Sequence, residues 1–163
     1  RRARTLFSAT RNGWELRGTD GDLLQRTALA HEIGMAISHK HYQRHSAYLL
    51  LNTDLPGFSQ EEQEQMALLA ATQRGKLDHP LWAAITDTER PRLLRLITLI
   101  RLALIFKYVE QLEALPDFAV APDANGLRLE FPAGWLAQHP LTAQELQQEQ
   151  ALLAKQGLAL EIR

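Results

Sequence analysis

The sequence predicts a mainly α chain: a helical bundle over residues 1–115, followed by a small α+β subdomain of a β-hairpin, a helix and a strand over 116–163. Three observations carry this reading. Apolar residues recur at the helical period up to Leu115, Ser59 and Glu62 stand at capping-box spacing, and after Pro116 the apolar period drops to two.

RRARTLFSAT reads as a helix closed by the turn pair Asn12-Gly13. The loop GTDGD offers Asp20 or Asp22 as an N-cap for LLQRTALAHEIGMAI, in which Leu24, Ala28 and His31 follow the i, i+4, i+7 rule. A third helix is expected over His45 to Leu51, stopped by Asp54-Leu-Pro-Gly. Ser59 and Glu62 then open QEEQEQMALLAATQ, and Gly75 is placed to end that helix. Asp87 or Thr88 is expected to cap the next helix, with Pro91 tolerated in its first turn. There Arg92, Arg95, Thr98 and Arg101 span about half of the circumference and Leu93, Leu96, Ile97, Ile100 and Leu104 the other half, which suits the centre of a bundle.

FAVAPDANGLRLEF sets Leu127, Leu129 and Phe131 against Arg128 and Glu130, with Asp123 to Gly126 as the turn of a hairpin. Thr142 and Glu145 suggest a second capping box for a helix that Gly157 ends, and Leu158, Leu160 and Ile162 alternate as a last strand.

A chain of 163 residues with 45% apolar content can bury a core, and its formal charge of −1 leaves no global field to hold a polyanion or nucleic acid. Any anion site must be a local patch. Cysteine is absent, which excludes disulfides and thiolate chemistry and fits a reducing, cytoplasmic setting. LLRLITLIRLALIF is interrupted by Arg95 and Arg101 and is shorter than a membrane span requires, so no span is expected. The chain starts at Arg1 with no signal-peptide pattern and reads as a piece of a larger protein.

SHKHYQRH is the densest site candidate. His41 and His45, at i, i+4, could share a divalent ion, with His31-Glu32 as further donors. Alternatively His39, Lys40, His41, Arg44 and His45 form a cationic patch at a helix start, where free N–H groups already favour phosphate oxygens. Arg74 and Lys76 would enlarge it if the fold brought them near. As plain structure, His31 is an imidazole at the core edge, His39, His41 and His45 lie in a solvated helix start, and Arg74 and Lys76 are cations stabilising a helix C-terminus.

Leu29-Ala30-His31-Glu32-Ile33-Gly34, His45-Ser46-Ala47-Tyr48-Leu49 and Asn52-Thr53-Asp54-Leu55-Pro56-Gly57-Phe58-Ser59, followed by LLRLITLIRLALIF and LRLEFPAGWLAQHPL, resemble in order and spacing the C-terminal half of the exopolyphosphatase and guanosine pentaphosphate phosphohydrolase family. The resemblance implies an HD-like all-α domain over 1–115 and a small end domain over 116–163. It also implies that the catalytic glutamate, the phosphate loops and the magnesium belong to upstream actin-like domains. This chain is then expected to hold no catalytic residue, metal or cofactor of its own. Against the HD pattern, His31-Glu32 stands for the usual His-Asp pair, Ala103 to Phe106 lacks the late carboxylate and RRARTLF lacks the early histidine. His31, Glu32 and His45 therefore read as a degenerate site.

The resemblance implies a binding module: Lys40, His41, Arg44, His45, Arg74 and Lys76 would hold inorganic polyphosphate for a parent exopolyphosphatase, and the full-length protein would form a homodimer. The alternatives are guanosine pentaphosphate phosphohydrolase as the parent activity, a metal-dependent HD-type phosphohydrolase using His31, Glu32 and His45, and a dimerisation domain without a ligand.

Overall fold

The structure, a computed structural model, describes the backbone except at residues 1, 38–41, 54–55 and 113, and, among the remaining residues, the side chains except at 3, 28–37 and 42–46. The described residues form α1 (Arg2–Thr10), α2 (Gly18–Ile37), α3 (Tyr42–Asn52), α4 (Gln60–Thr72), a 3-10 helix (Pro80–Ala84), α5 (Arg90–Leu112), β1 (Ala119–Pro122), β2 (Gly126–Glu130), α6 (Trp135–Gln138), α7 (Pro140–Lys155) and β3 (Ala159–Ile162). The chain is mainly α with a small α+β end.

Packing divides the chain into two compact units, residues 18–101 and residues 1–17 with 102–163. The expected boundary at 115/116 falls inside the second of these.

In the 18–101 unit, α2, α3 and α4 pack on one another. Ser59 caps α4: its hydroxyl accepts from the Glu62 N–H at 3.1 Å and the Glu62 carboxylate accepts from the Ser59 N–H at 3.4 Å. After that polar start every residue from Met66 to Thr72 is buried, as expected of a helix that is apolar all round. The first half of α5 is similar. Its polar stripe is no solvent face: Thr98 is fully buried, and Arg101 is 4% exposed, donating to the Thr72 carbonyl at 2.8 Å. Buried threonines recur on this chain because each hydroxyl has a local acceptor. Thr10, Thr27, Thr72 and Thr98 all donate to the carbonyl four residues earlier at 2.7–2.8 Å.

Several expected helix starts move. Helix α2 begins at Gly18, so neither Asp20 nor Asp22 is its cap. Asp20 sits in the first turn and is 1% exposed because its carboxylate binds Arg92. Helix α3 begins three residues before His45, and Asp87 and Thr88 lie in the turn before α5, where the Thr86 carbonyl accepts from the N–H groups of Glu89 and Arg90. The 3-10 helix was not anticipated. Its cap is His79, whose Nδ1 accepts from the Leu81 N–H at 3.1 Å.

In the other unit, β2 is the central strand, antiparallel to β1 and parallel to β3. Leu127, Leu129, Leu158 and Leu160 are buried, as their alternation predicts. The Asp123 carboxylate accepts from the N–H groups of Asn125 and Gly126, both at 2.8 Å, and so closes the hairpin turn. Gly126 is obligatory for space: a Cβ there would lie 1.8 Å from the Ala159 carbonyl oxygen on β3.

Helix α1 joins this unit by packing on β1. Trp14, 2% exposed, donates its indole N–H to the carbonyls of Asp123 and Gly126 at 3.0 and 3.1 Å.

The expected capping box at Thr142 and Glu145 does not form. Helix α7 starts three residues earlier, with His139 at the N-cap and Pro140 in the first turn, leaving Thr142 buried inside the helix. Its other end follows the sequence: Gly157 has φ +87°, its N–H bonds the Ala154 carbonyl, and the Leu158 N–H bonds the Leu153 carbonyl. A ladder of rings runs from Phe106 through Phe118, Phe131 and Trp135 to His139, with successive centroids 4.8, 4.9, 5.2 and 4.1 Å apart.

Candidate anion-binding site

The scaffold of the candidate site is the α2–α3–α4 layer. The Gln63 amide of α4 donates to the carbonyls of Leu50 and Thr53 at 3.0 and 2.8 Å, satisfying the C-terminal end of α3. Arg26 on α2 lies over the Phe58 ring at 4.5 Å and reaches Glu62 at 3.5 Å, tying α2 to the start of α4. Arg92 binds Asp20 of α2 and also reaches Gln65 of α4 at 3.4 Å. Gln63 thus ties α3 to α4, while Arg26 and Arg92 tie α2 to the helices around it.

On α3, Ala47 and Leu50 are buried at 7% and 5% exposure and mark its inner side. At about 100° per residue, positions 44, 45, 48 and 52 fall within an arc of about 100° on the opposite side. Tyr48, 66% exposed, and exposed Asn52 confirm that this arc is the outer one. Arg44 and His45 occupy its first turns. The helix, YQRHSAYLLLN, carries no carboxylate.

The remaining predicted residues are distributed as follows. His39, Lys40 and His41 lie outside the described residues. His31 and Glu32 lie on α2, and the arrangement of their side chains with that of His45 is likewise outside them. Arg74 and Lys76 are exposed and flank Gly75, φ +72°, in the turn after α4, on a different element from the α3 arc. Among the described residues no group of three or more His, Asp or Glu side chains is arranged to hold a metal. Sequence reasoning passed over Tyr48, although its i+4 spacing from Arg44 was readable as soon as the helix was extended back to Tyr42.

Among the described residues no helix is long and apolar enough to cross a membrane. Fold and site together define a mainly α domain with a small α+β end and a carboxylate-free cationic helix on its helical unit. The family model for Ppx/GppA phosphatase, domain III, matches residues 1–150. Guanosine-5'-triphosphate,3'-diphosphate pyrophosphatase of Pseudoalteromonas translucida (strain TAC 125) is 38% identical over 156 residues, 95% of this chain and 31% of that protein. The chain therefore belongs to the Ppx/GppA phosphatase family and corresponds to its C-terminal region. It spans about a third of the length of the curated relative it matches.

Proposed function

We propose that this chain is the non-catalytic C-terminal part of a phosphoanhydride hydrolase, and that its α3 patch holds the phosphate chain of the parent's substrate while other domains cut it. The single observation that supports this reading is the sequence of α3, which has Arg44 and His45 in its first turns and no carboxylate. Lys40 and His41, directly before the helix, extend the same positive run in sequence, and Arg74 and Lys76 supply further cations in the same unit. Phosphate oxygens suit this set because Arg binds them bidentately and the start of a helix adds unpaired N–H groups. Inorganic polyphosphate is the ligand that the patch by itself favours, since it offers phosphate and nothing else. Dimerisation of the full-length protein and a cytoplasmic setting belong to the same proposal, as does magnesium in the parent's catalytic domains, which this chain does not supply.

Calorimetry of this chain with polyphosphate of defined length at two salt concentrations tests the reading. Phosphate contacts release counterions, so affinity should drop steeply as salt rises. Arg44→Ala should weaken it further. Binding that ignores both salt and the substitution refutes the assignment.

A second reading is favoured by the name of the 38% identical relative, whose substrate carries a guanosine as well as phosphates. On that reading the parent acts on a guanosine phosphate, and the same patch meets its phosphate chains.

A further inference from the structure

The turn after α1 contains Asn12-Gly13, and the fold leaves this pair open in a way it does not leave the chain's other Asn-Gly pair, Asn125-Gly126. Asn12 and Gly13 are both exposed. Among the described residues the Gly13 N–H has no acceptor and the Asn12 side chain has no hydrogen-bond partner. At the second pair, the Asp123 carboxylate holds the Gly126 N–H at 2.8 Å, and Gly126 is wedged against the Ala159 backbone. The third asparagine, Asn52, precedes a β-branched threonine and donates its amide to the Tyr48 carbonyl at 2.9 Å. Packing also keeps glycine beside Asn12, because a Cβ at Gly13 would run into the Pro122 ring at the end of β1.

We propose that Asn12 is a site of spontaneous covalent modification, in which the Gly13 backbone nitrogen displaces the Asn12 side-chain amide. The nitrogen bonds to the side-chain carbonyl carbon and gives its proton to solvent, while the amide nitrogen takes up a proton and leaves as ammonia. Water then opens the cyclic imide at one of its two carbonyls. Opening at the side-chain carbonyl gives aspartate; opening at the main-chain carbonyl gives isoaspartate, whose backbone runs through the former side chain. The sequence of steps consumes a water and releases an ammonia, with no change of oxidation state. Glycine suits the attack because no Cβ shields its nitrogen. Either product adds a negative charge to a chain whose formal charge is −1. Isoaspartate also lengthens the main chain inside a turn closed by two bonds of 2.9 Å, from the Trp14 N–H to the Thr10 carbonyl and from the Leu16 N–H to the Arg11 carbonyl. Because Trp14 seats this segment on the Asp123–Gly126 turn, modification at residue 12 loosens the segment from the sheet. This inference is independent of the anion-binding reading of α3.

The test is to age the chain in mildly alkaline buffer, folded and in parallel in urea, and to follow residues 12 and 125 by peptide mapping with mass spectrometry. In the folded chain Asn12 is expected to convert at least about tenfold faster than Asn125, where a charge-assisted hydrogen bond must open first. In urea the two should convert at similar rates. Thermal unfolding supplies the second readout: the aged chain should melt below its fresh counterpart, whereas Asn12→Gln, which disfavours the ring closure, should melt alike fresh and aged. Comparable conversion of both asparagines in the folded chain, or an intact Asn12 there while the urea sample converts, overturns the proposal. Conversion of Asn12 without a fall in the melting midpoint overturns the loosening of Trp14.

Discussion

Arg92, at the start of α5, donates to the Asp20 carboxylate in the first turn of α2 and also to Glu89 one turn before it, at 2.6 Å. Asp20 is 1% exposed while the Arg92 side chain keeps 18% of its surface, so the two ends of this pair are not equivalent. Removing the arginine takes the cation from a buried carboxylate; removing the aspartate leaves a cation that still has Glu89. Arg92→Ala should therefore cost about 3 kcal/mol, and Asp20→Ala less. The double variant should be more stable than the sum of the two implies, and urea denaturation of all three measures it. An Arg92→Ala variant as stable as the parent would refute the tie.

Gly126 and Gly157 offer a contrast between space and backbone angle. At Gly126 an added Cβ meets the Ala159 backbone at 1.8 Å, and alanine there should cost about 3 kcal/mol or more by prising β3 from β2. At Gly157 nothing lies within 4 Å and only φ +87° resists, so alanine should cost about 1–2 kcal/mol. Thermal unfolding of both variants gives the order, and a larger loss at Gly157 would contradict it.

Glu15 occupies the left-handed region at φ 54°, at the exit of α1, where the Leu16 N–H bonds the Arg11 carbonyl at 2.9 Å. This is a helix-ending geometry that glycine adopts freely. Glu15→Gly should raise stability by about 0.5–1 kcal/mol, visible as a higher unfolding midpoint. A fall in the midpoint would show that the glutamate side chain contributes something that outweighs the backbone.

The indole N–H of Trp14 satisfies two turn carbonyls at once. Trp14→Phe keeps much of the buried ring but removes the indole donor from both carbonyls, of which Gly126 still accepts from the Asp123 N–H at 2.9 Å, and a loss of about 1–3 kcal/mol is expected. Hydrogen exchange of the Asp123–Gly126 turn should speed up in this variant; unchanged exchange there would remove the proposed link.

What could be read from the sequence was whatever depends on near neighbours. Ser59 and Glu62 formed their box because the next residues, running into Met66 and beyond, could start nowhere else. Thr142 and Glu145 have the same spacing, yet Pro140 supplies a ready first turn and the helix begins there. Period-two alternation placed β2 and β3, though not their parallel pairing, which depends on the α7 crossover between them. Asp20 illustrates the other limit. Its role is set by Arg92, 72 positions away, and no local pattern announces that partner. The same distance effect hid the grouping of α1 with the sheet, because Trp14 is fixed by residues more than a hundred positions later. At the candidate site, the cationic run and its lack of carboxylates were legible, whereas the outward placement of Tyr48 required knowing which side of α3 is buried.

The union of residues 1–17 with 102–163 has a kinetic meaning. Residues 18–101 form a compact unit from one contiguous stretch of chain. The first segment is different: the Trp14 indole, just after α1, waits for a turn 109 residues downstream, and the loop it closes is among the longest the chain contains. During synthesis α1 thus emerges well before the segment that locks it in place.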